Sequence, residues 1–135
     1  MTYIKGVKNF FPVPNLIFSL GLSAEEIAIY MYLMYAENRV THSCCLSLNK
    51  IGNNLKMSRP TARKYVDMLV EKQLISIEPT TLTLKDGSRR NGTLKYTILP
   101  IYMALDYYNE KQTEQAMKQI ELAKLEKRMG KLKTD

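Results

Sequence analysis

A chain of 135 residues with 45% apolar side chains can build one modest hydrophobic core, which excludes a second full domain. Twenty lysines and arginines against thirteen acids leave a formal charge of +7, nearly all of it before residue 101, which favours phosphate-rich or other anionic partners. The only cysteines, Cys44 and Cys45, are neighbours whose bridging would need a strained ring, so reduced thiols in a cytoplasmic, soluble chain are expected.

In chain order, residues 1–13 mix aromatic and basic groups and predict an extended arm that packs Phe10, Phe11 and Val13 onto the core. The most apolar stretch, "FFPVPNLIFSLGL", is broken by Pro12 and Pro14 and is too short to cross a bilayer, so no membrane partner is expected. Within it, "PNLIFSL" predicts a short helix opened by Pro14 and stopped at Gly21. "SAEE" follows, and Ser23 with Glu26 three residues later forms a capping box. It opens a helix whose Ile27, Tyr30, Met31, Leu33 and Met34 recur at helical spacing as far as about Asn38.

"VTHSCCLS" sets Val40, His42, Cys44 and Leu46 on one side of a period of two, which predicts a short strand. Ser47 caps a second short helix with Leu48, Ile51 and Leu55 on one face, and Ser58 caps a third. Only a tight connection around "KM" separates them, the spacing of a helix-turn-helix. "ISIEPTTLTL" and "TLKYTIL" then alternate as two strands, with Pro79 marking a bend or an edge. Between them "KDGSRRNG" carries two turn signals, Asp86-Gly87 and Asn91-Gly92, and predicts a hairpin with an extended tip. From Ile101 to Met129 neither Gly nor Pro occurs, which predicts one helix about 40 Å long. Helix, short strand, helix, turn, helix and hairpin make a mainly α fold with a small β-hairpin wing (α+β). This is the layout of a winged helix-turn-helix. The expected organisation is a winged domain with its N-terminal arm over residues 1–100 and a long C-terminal helix over 101–135.

The third helix, in "MSRPTARKYVDMLVEKQLI", buries a stripe of Ala62, Tyr65, Val66 and Leu69 and leaves Arg59, Thr61, Arg63 and Lys64 on its other sides. Its free N-terminal amides, next to Ser58, suit a phosphate, and its basic groups suit the acceptors that base edges present in a major groove. Asn49, Lys50, Asn53 and Lys56, on and after the second helix, are candidate phosphate contacts, as are Lys85, Arg89 and Arg90 on the hairpin tip. Double-stranded DNA is therefore the expected partner.

With these residues in view, "LSAEEIAIYMYLMYAENR" and "LNKIGNNLKMSRPTARKYVDMLVEKQLI" resemble the winged helix-turn-helix domains of bacterial regulators and of plasmid and conjugative-element replication initiators. The resemblance covers about residues 10 to 100, and "FFPVPNLIF" is similar to the segment that precedes the domain in those initiators. It implies that Ser58, Arg59, Thr61, Arg63 and Lys64 sit at DNA-facing positions of the recognition helix. Two departures stand out. "CCLSL" replaces an aromatic-Pro-Ser segment, and Gln73 stands where the pattern often has Gly. No second globular region follows, which favours a regulator or an accessory factor over a complete initiator.

Catalytic chemistry finds little purchase. His42 is the single histidine and has no acid or nucleophile at triad spacing, Cys44 and Cys45 lack a second ligand pair at zinc spacing, and no Gly-rich phosphate loop occurs. No enzyme activity, cofactor or metal is expected. In the C-terminal helix a heptad frame from Ile101 places Ala104, Tyr108, Leu122, Leu125, Met129 and Leu132 in one seam, interrupted by Lys111, Gln115 and Lys118. A second seam through Ala116, Ile120 and Ala123 is offset from it. Homodimerisation through this helix is expected, with Ile101, Leu105, Tyr108, Leu122, Leu125 and Met129 as candidate contacts; the alternative is a helix folded back on its own domain.

Three functional readings stay open: a sequence-specific DNA-binding transcriptional regulator, a replication initiation or accessory protein of a mobile element, and a winged helix used as a protein-interaction module. The first two would meet the transcription or replication machinery.

Overall fold

The computed structural model describes the backbone of residues 9–133 and the side chains within it, except those of Leu82, Arg90, Asn91, Leu132 and Lys133. Residues 1–8 of the expected arm lie outside the described residues. Phe11 and Val13 pack against the core as expected, while Phe10 is 56% exposed. The following segment is a 3-10 turn, Asn15–Ser19, rather than an α-helix. Five residues are too few for sustained i to i−4 bonding, and the turn serves to drive Ile17 and Leu20 into the core.

Helix α1 (Ala24–Ala36) begins with the expected reciprocal cap, Ser23 accepting from the Glu26 amide and Glu26 accepting from the Ser23 amide. Ile29, Tyr30 and Leu33 carry it into the core. A tight loop leads to strand β1 (Ser43–Leu46), shorter than the alternation at Val40 and His42 suggested. The Asn38 side chain accepts from the amides of Val40 and Thr41, which turns the chain outward. Val40 is 87% exposed and His42 takes a left-handed φ of 56°.

Helices α2 (Leu48–Leu55) and α3 (Arg59–Glu71) are capped by Ser47 and Ser58, whose hydroxyls accept from the amides of Lys50 and Thr61. Ile51, Ala62, Val66 and Leu69 are fully buried. Each such Val or Leu stabilises the unit by about 1.5–3 kcal/mol, so the stripe on α3 is what holds that helix down. Strands β2 (Ile75–Thr83) and β3 (Arg89–Ile98) form the wing, and with β1 they make an antiparallel sheet in the order β1-β3-β2.

The two turn signals of the hairpin have different fates. Asp86-Gly87 makes the reversal: Gly87 has φ 86°, its amide donates to Leu84 O, and Ser88 donates twice to the Asp86 carboxylate. Asn91-Gly92 instead lies inside β3 at a bulge, where the register shifts between the pairs Pro79 with Leu94 and Thr81 with Asn91. Arg89 and Arg90 consequently belong to a paired strand, opposite Thr83 and Leu82, and not to a free loop. Pro79 is tolerated because β2 is an edge strand.

Helix α4 (Ile101–Lys133) runs 33 residues, through Gly130 and past the expected end, for about 50 Å. Its first turns lean on the core: Ala104 is buried, Ile101, Leu105 and Tyr108 are partly buried against it, and every residue described from Asn109 to Lys131 is exposed.

Candidate nucleic-acid interface

The connection between α2 and α3 is set by one glycine. Gly52 is buried, and a Cβ built on it would lie 2.4 Å from the Met57 carbonyl oxygen, so only Gly lets the chain double back so closely. The Gly52 carbonyl accepts from the amides of both Lys56 and Met57, and Lys56 takes the left-handed conformation that closes α2. Sequence reading noted the short spacing but passed over Gly52. The signal was a Gly in a helix six residues before the next cap, Ser58.

Beyond this turn, Ser58 spends its hydroxyl on α3 itself, accepting from Thr61 N and donating to Thr61 Oγ1 at 2.8 Å. Both side chains stiffen the helix start, where the amides and the positive end of the dipole face outward. Arg59 and Lys64 are exposed, and the Lys64 ammonium lies 5.4 Å from the Tyr65 ring centre. Arg63 is also exposed but pairs with Asp67, one helical turn on, at 3.1 Å. Its charge is thereby partly offset locally, and a pair this exposed contributes under about 1 kcal/mol, so a phosphate can displace it.

The Arg63 guanidinium also acts on Tyr96, which sits in β3 under α3. Burial pushes the Tyr96 phenol up to about 12, against the favourable field of Arg63, and among the described residues its hydroxyl has no hydrogen-bond partner. On α2, Asn49, Lys50 and Asn53 are exposed opposite buried Leu48 and Ile51, and Lys56 is exposed in the turn. Asn54, not Lys50, is tied down, its amide donating to the Lys50 carbonyl. On the wing, Lys85 and Arg89 are exposed; the Arg90 side chain lies outside the described residues.

Two further features flank α3, of which only the second, at position 73, had a signal in the sequence. Glu26, the capping residue of α1, is 1% exposed and accepts two bonds from Lys72 Nζ, at 2.9 and 3.1 Å, which fastens the last turn of α3 to the first turn of α1. Gln73, at the departure from the family pattern, has φ 65°, the conformation that a Gly takes without strain. Of the expected dimer contacts, Ile101, Leu105 and Tyr108 lie partly buried on their own domain, whereas Leu122, Leu125 and Met129 are more than half exposed.

Two other titratable groups, Cys44 and His42, lie near Glu37. Burial first, then Cys45 and Glu37, push the Cys44 thiol up to about 11, which keeps it protonated and a poor nucleophile or ligand. His42 Nδ1 lies 3.6 Å from Glu37. Among the described residues, no group of three or more His, Cys, Asp or Glu side chains could hold a metal, and no helix is long and apolar enough to cross a membrane.

A three-helix core, a tight α2–α3 turn and a hairpin wing define a winged helix-turn-helix, a fold used in DNA-binding modules. In agreement, residues 20–75 match the family model described as "Helix-turn-helix domain". The chain therefore carries a winged helix-turn-helix domain with a long C-terminal helix. No curated protein matches the sequence. Among solved structures, a "Possible transcriptional regulator from Methanosarcina mazei Go1" is similar, at 15% identity and TM-score 0.50, over 81% of this chain and 82% of that one. Two further similar structures have lower TM-scores. MarR of Staphylococcus aureus, in complex with salicylate and kanamycin, is 19% identical with TM-score 0.42, over 81% of this chain and 63% of that one. The multiple antibiotic-resistance repressor MarR of Listeria monocytogenes is 17% identical with TM-score 0.41, over 87% and 78%. At these identities the likeness is one of fold.

Proposed function

We propose that this chain is a transcriptional regulator that reads double-stranded DNA as a homodimer, without catalysis. The observation that carries the reading is the outer side of α3, where Arg59 and Lys64 stand exposed beside the Ser58-capped helix start while Ala62, Val66 and Leu69 hold the opposite stripe in the core. In this arrangement α3 lies in the major groove, and Arg59 and Lys64 reach base edges or the flanking phosphates. Lys50, Asn49, Asn53 and Lys56 touch the backbone beside it, and Lys85, Arg89 and Arg90 bring the wing to the neighbouring phosphates or minor groove. The winged domain is the reading unit, and α4 joins two copies.

Selection from a random duplex library, read by sequencing at several salt concentrations, tests this. The expected result is an enriched inverted repeat that is lost with Arg59→Ala or Lys64→Ala and only weakened with the Arg89→Ala, Arg90→Ala double variant. Absence of duplex affinity even at low salt would favour the protein-interaction module instead. The resemblance over residues 10 to 100 also supports replication initiation, and enrichment of iterated direct repeats in place of an inverted one would favour that reading.

A further inference from the structure

The exposed length of α4 carries two patterns that the winged domain does not use. Leu122, Leu125 and Met129 are 52–57% exposed and continue the heptad seam whose earlier members, Ile101, Ala104 and Tyr108, pack on the chain's own core. Charge along the helix is also biased: Asp106, Glu110 and Glu114 against Lys111 come first, and a basic excess that includes Lys124, Lys127 and Arg128 against Glu121 and Glu126 comes later. A helix end so apolar and so long needs a partner surface, and the charge bias says which way that surface runs.

We propose that α4 pairs antiparallel with α4 of a second copy, crossing near Ile120. The inference rests on dimerisation through α4, proposed above, and adds its direction and register. A parallel pair would set Lys111 against Lys111 and Lys118 against Lys118 inside the seam, stacking like charges where apolar side chains belong. An antiparallel pair centred on residue 120 removes both conflicts. Leu122 then meets the aliphatic stem of Lys118 from the second copy, Leu125 meets Gln115 and Met129 meets Lys111.

Along the flank, Arg128 comes within half a turn of the level of Glu114, and where Glu121 meets its own counterpart at the centre, the Lys118 ammonium of each copy lies beside the pair. The acidic half of each helix faces the basic half of the other, and the two helix dipoles oppose. A cavity of about 340 Å³ lies where α4 leaves the winged domain, walled in part by Leu20, Gly21, Leu74, Tyr107, Tyr108 and Lys111. In this register Met129 of the second copy reaches the Lys111 level, at the mouth of that cavity, so the apolar helix end has a receptor. The second seam, through Ala116, Ile120 and Ala123, stays on the outside.

The direction has a consequence for DNA. Antiparallel pairing at residue 120 sets the two winged domains at opposite ends of the helix pair, about 50 Å apart along its axis. Half-sites would then be separated by more than the ~34 Å of a single helical turn.

Cysteine cross-linking tests direction and register together. In a Cys44→Ser, Cys45→Ser chain, Lys111→Cys and Met129→Cys would be made separately, one carrying a mass tag, then mixed, allowed to exchange and oxidised. The expected result is a disulfide between the two different chains and none in either variant alone, with the unoxidised parent chain sedimenting as a dimer. Self-linking of each variant would overturn the antiparallel direction and leave the dimer standing. A dimer that links in no combination would overturn this register, and a monomeric parent would overturn both this inference and the dimer beneath it. Leu125→Glu should yield monomer and Ile120→Glu should not; the reverse would overturn the choice of seam.

Discussion

The α2–α3 unit and the outer two-thirds of α4 are both helical and both carry exposed cations, yet they are held in opposite ways. Around α3 every constraint is internal: a cap at its start, a buried stripe along it, a glycine turn before it and the Glu26–Lys72 pair at its end. Past Asn109, α4 has hydrogen bonds of its own backbone and a few local side-chain pairs, with Leu122, Leu125 and Met129 open to solvent. The contrast separates two jobs. A rigidly placed helix can present Arg59 and Lys64 at fixed positions, whereas an uncovered helix leaves Leu122, Leu125 and Met129 accessible to another molecule.

The comparison can be broken most forcefully at the turn. Gly52→Val should destabilise the domain by about 4 kcal/mol, because the new side chain meets the Met57 carbonyl and neither element can retreat. Thermal unfolding reads this directly. Glu26→Ala should come next, at about 3 kcal/mol, since it removes a cap and leaves the Lys72 ammonium at the edge of an apolar core. Denaturant titration should show a lower midpoint with an unchanged slope.

Ser58→Ala should cost about 1 kcal/mol as a lost cap, and should weaken duplex binding beyond that because it loosens the start of α3. Smallest and opposite in sign is Gln73→Gly, which relieves a left-handed φ and should stabilise by roughly 0.5–1 kcal/mol. On the other side of the comparison, Leu122→Asp with Leu125→Asp should leave the melting of the winged domain unchanged at high dilution while abolishing the dimer in sedimentation.

Much of this architecture could be read from short-range signals. Ser23, Ser47 and Ser58 each announce a helix through a bond to an amide three residues on, and Asp86-Gly87 announces the hairpin through a glycine φ that few other residues reach. Reading failed where the deciding partner was distant or a signal had two uses. Asn91-Gly92 suits a turn and a bulge equally, and only the register across β2 selects the bulge, which moved Arg89 and Arg90 from a loop into a strand. Lys72 and Glu26 lie 46 residues apart, and no periodicity connects them. Phe10 has the same apolar character as Phe11, yet only Phe11 finds the core. For the candidate site, residue type and exposure were legible. The local engagements of Ser58 with Thr61 and of Arg63 with Asp67 needed coordinates, because they decide which donors are committed within the helix.

The most direct test of the account is the salt dependence of duplex affinity for the wild-type chain and for Arg59→Ala. The account predicts a straight fall of log affinity with log salt, and a slope shallower by about one unit in the variant, as one phosphate-level charge is withdrawn. An affinity that is absent at low salt, or a slope that Arg59→Ala leaves untouched, would contradict the placement of α3 on DNA.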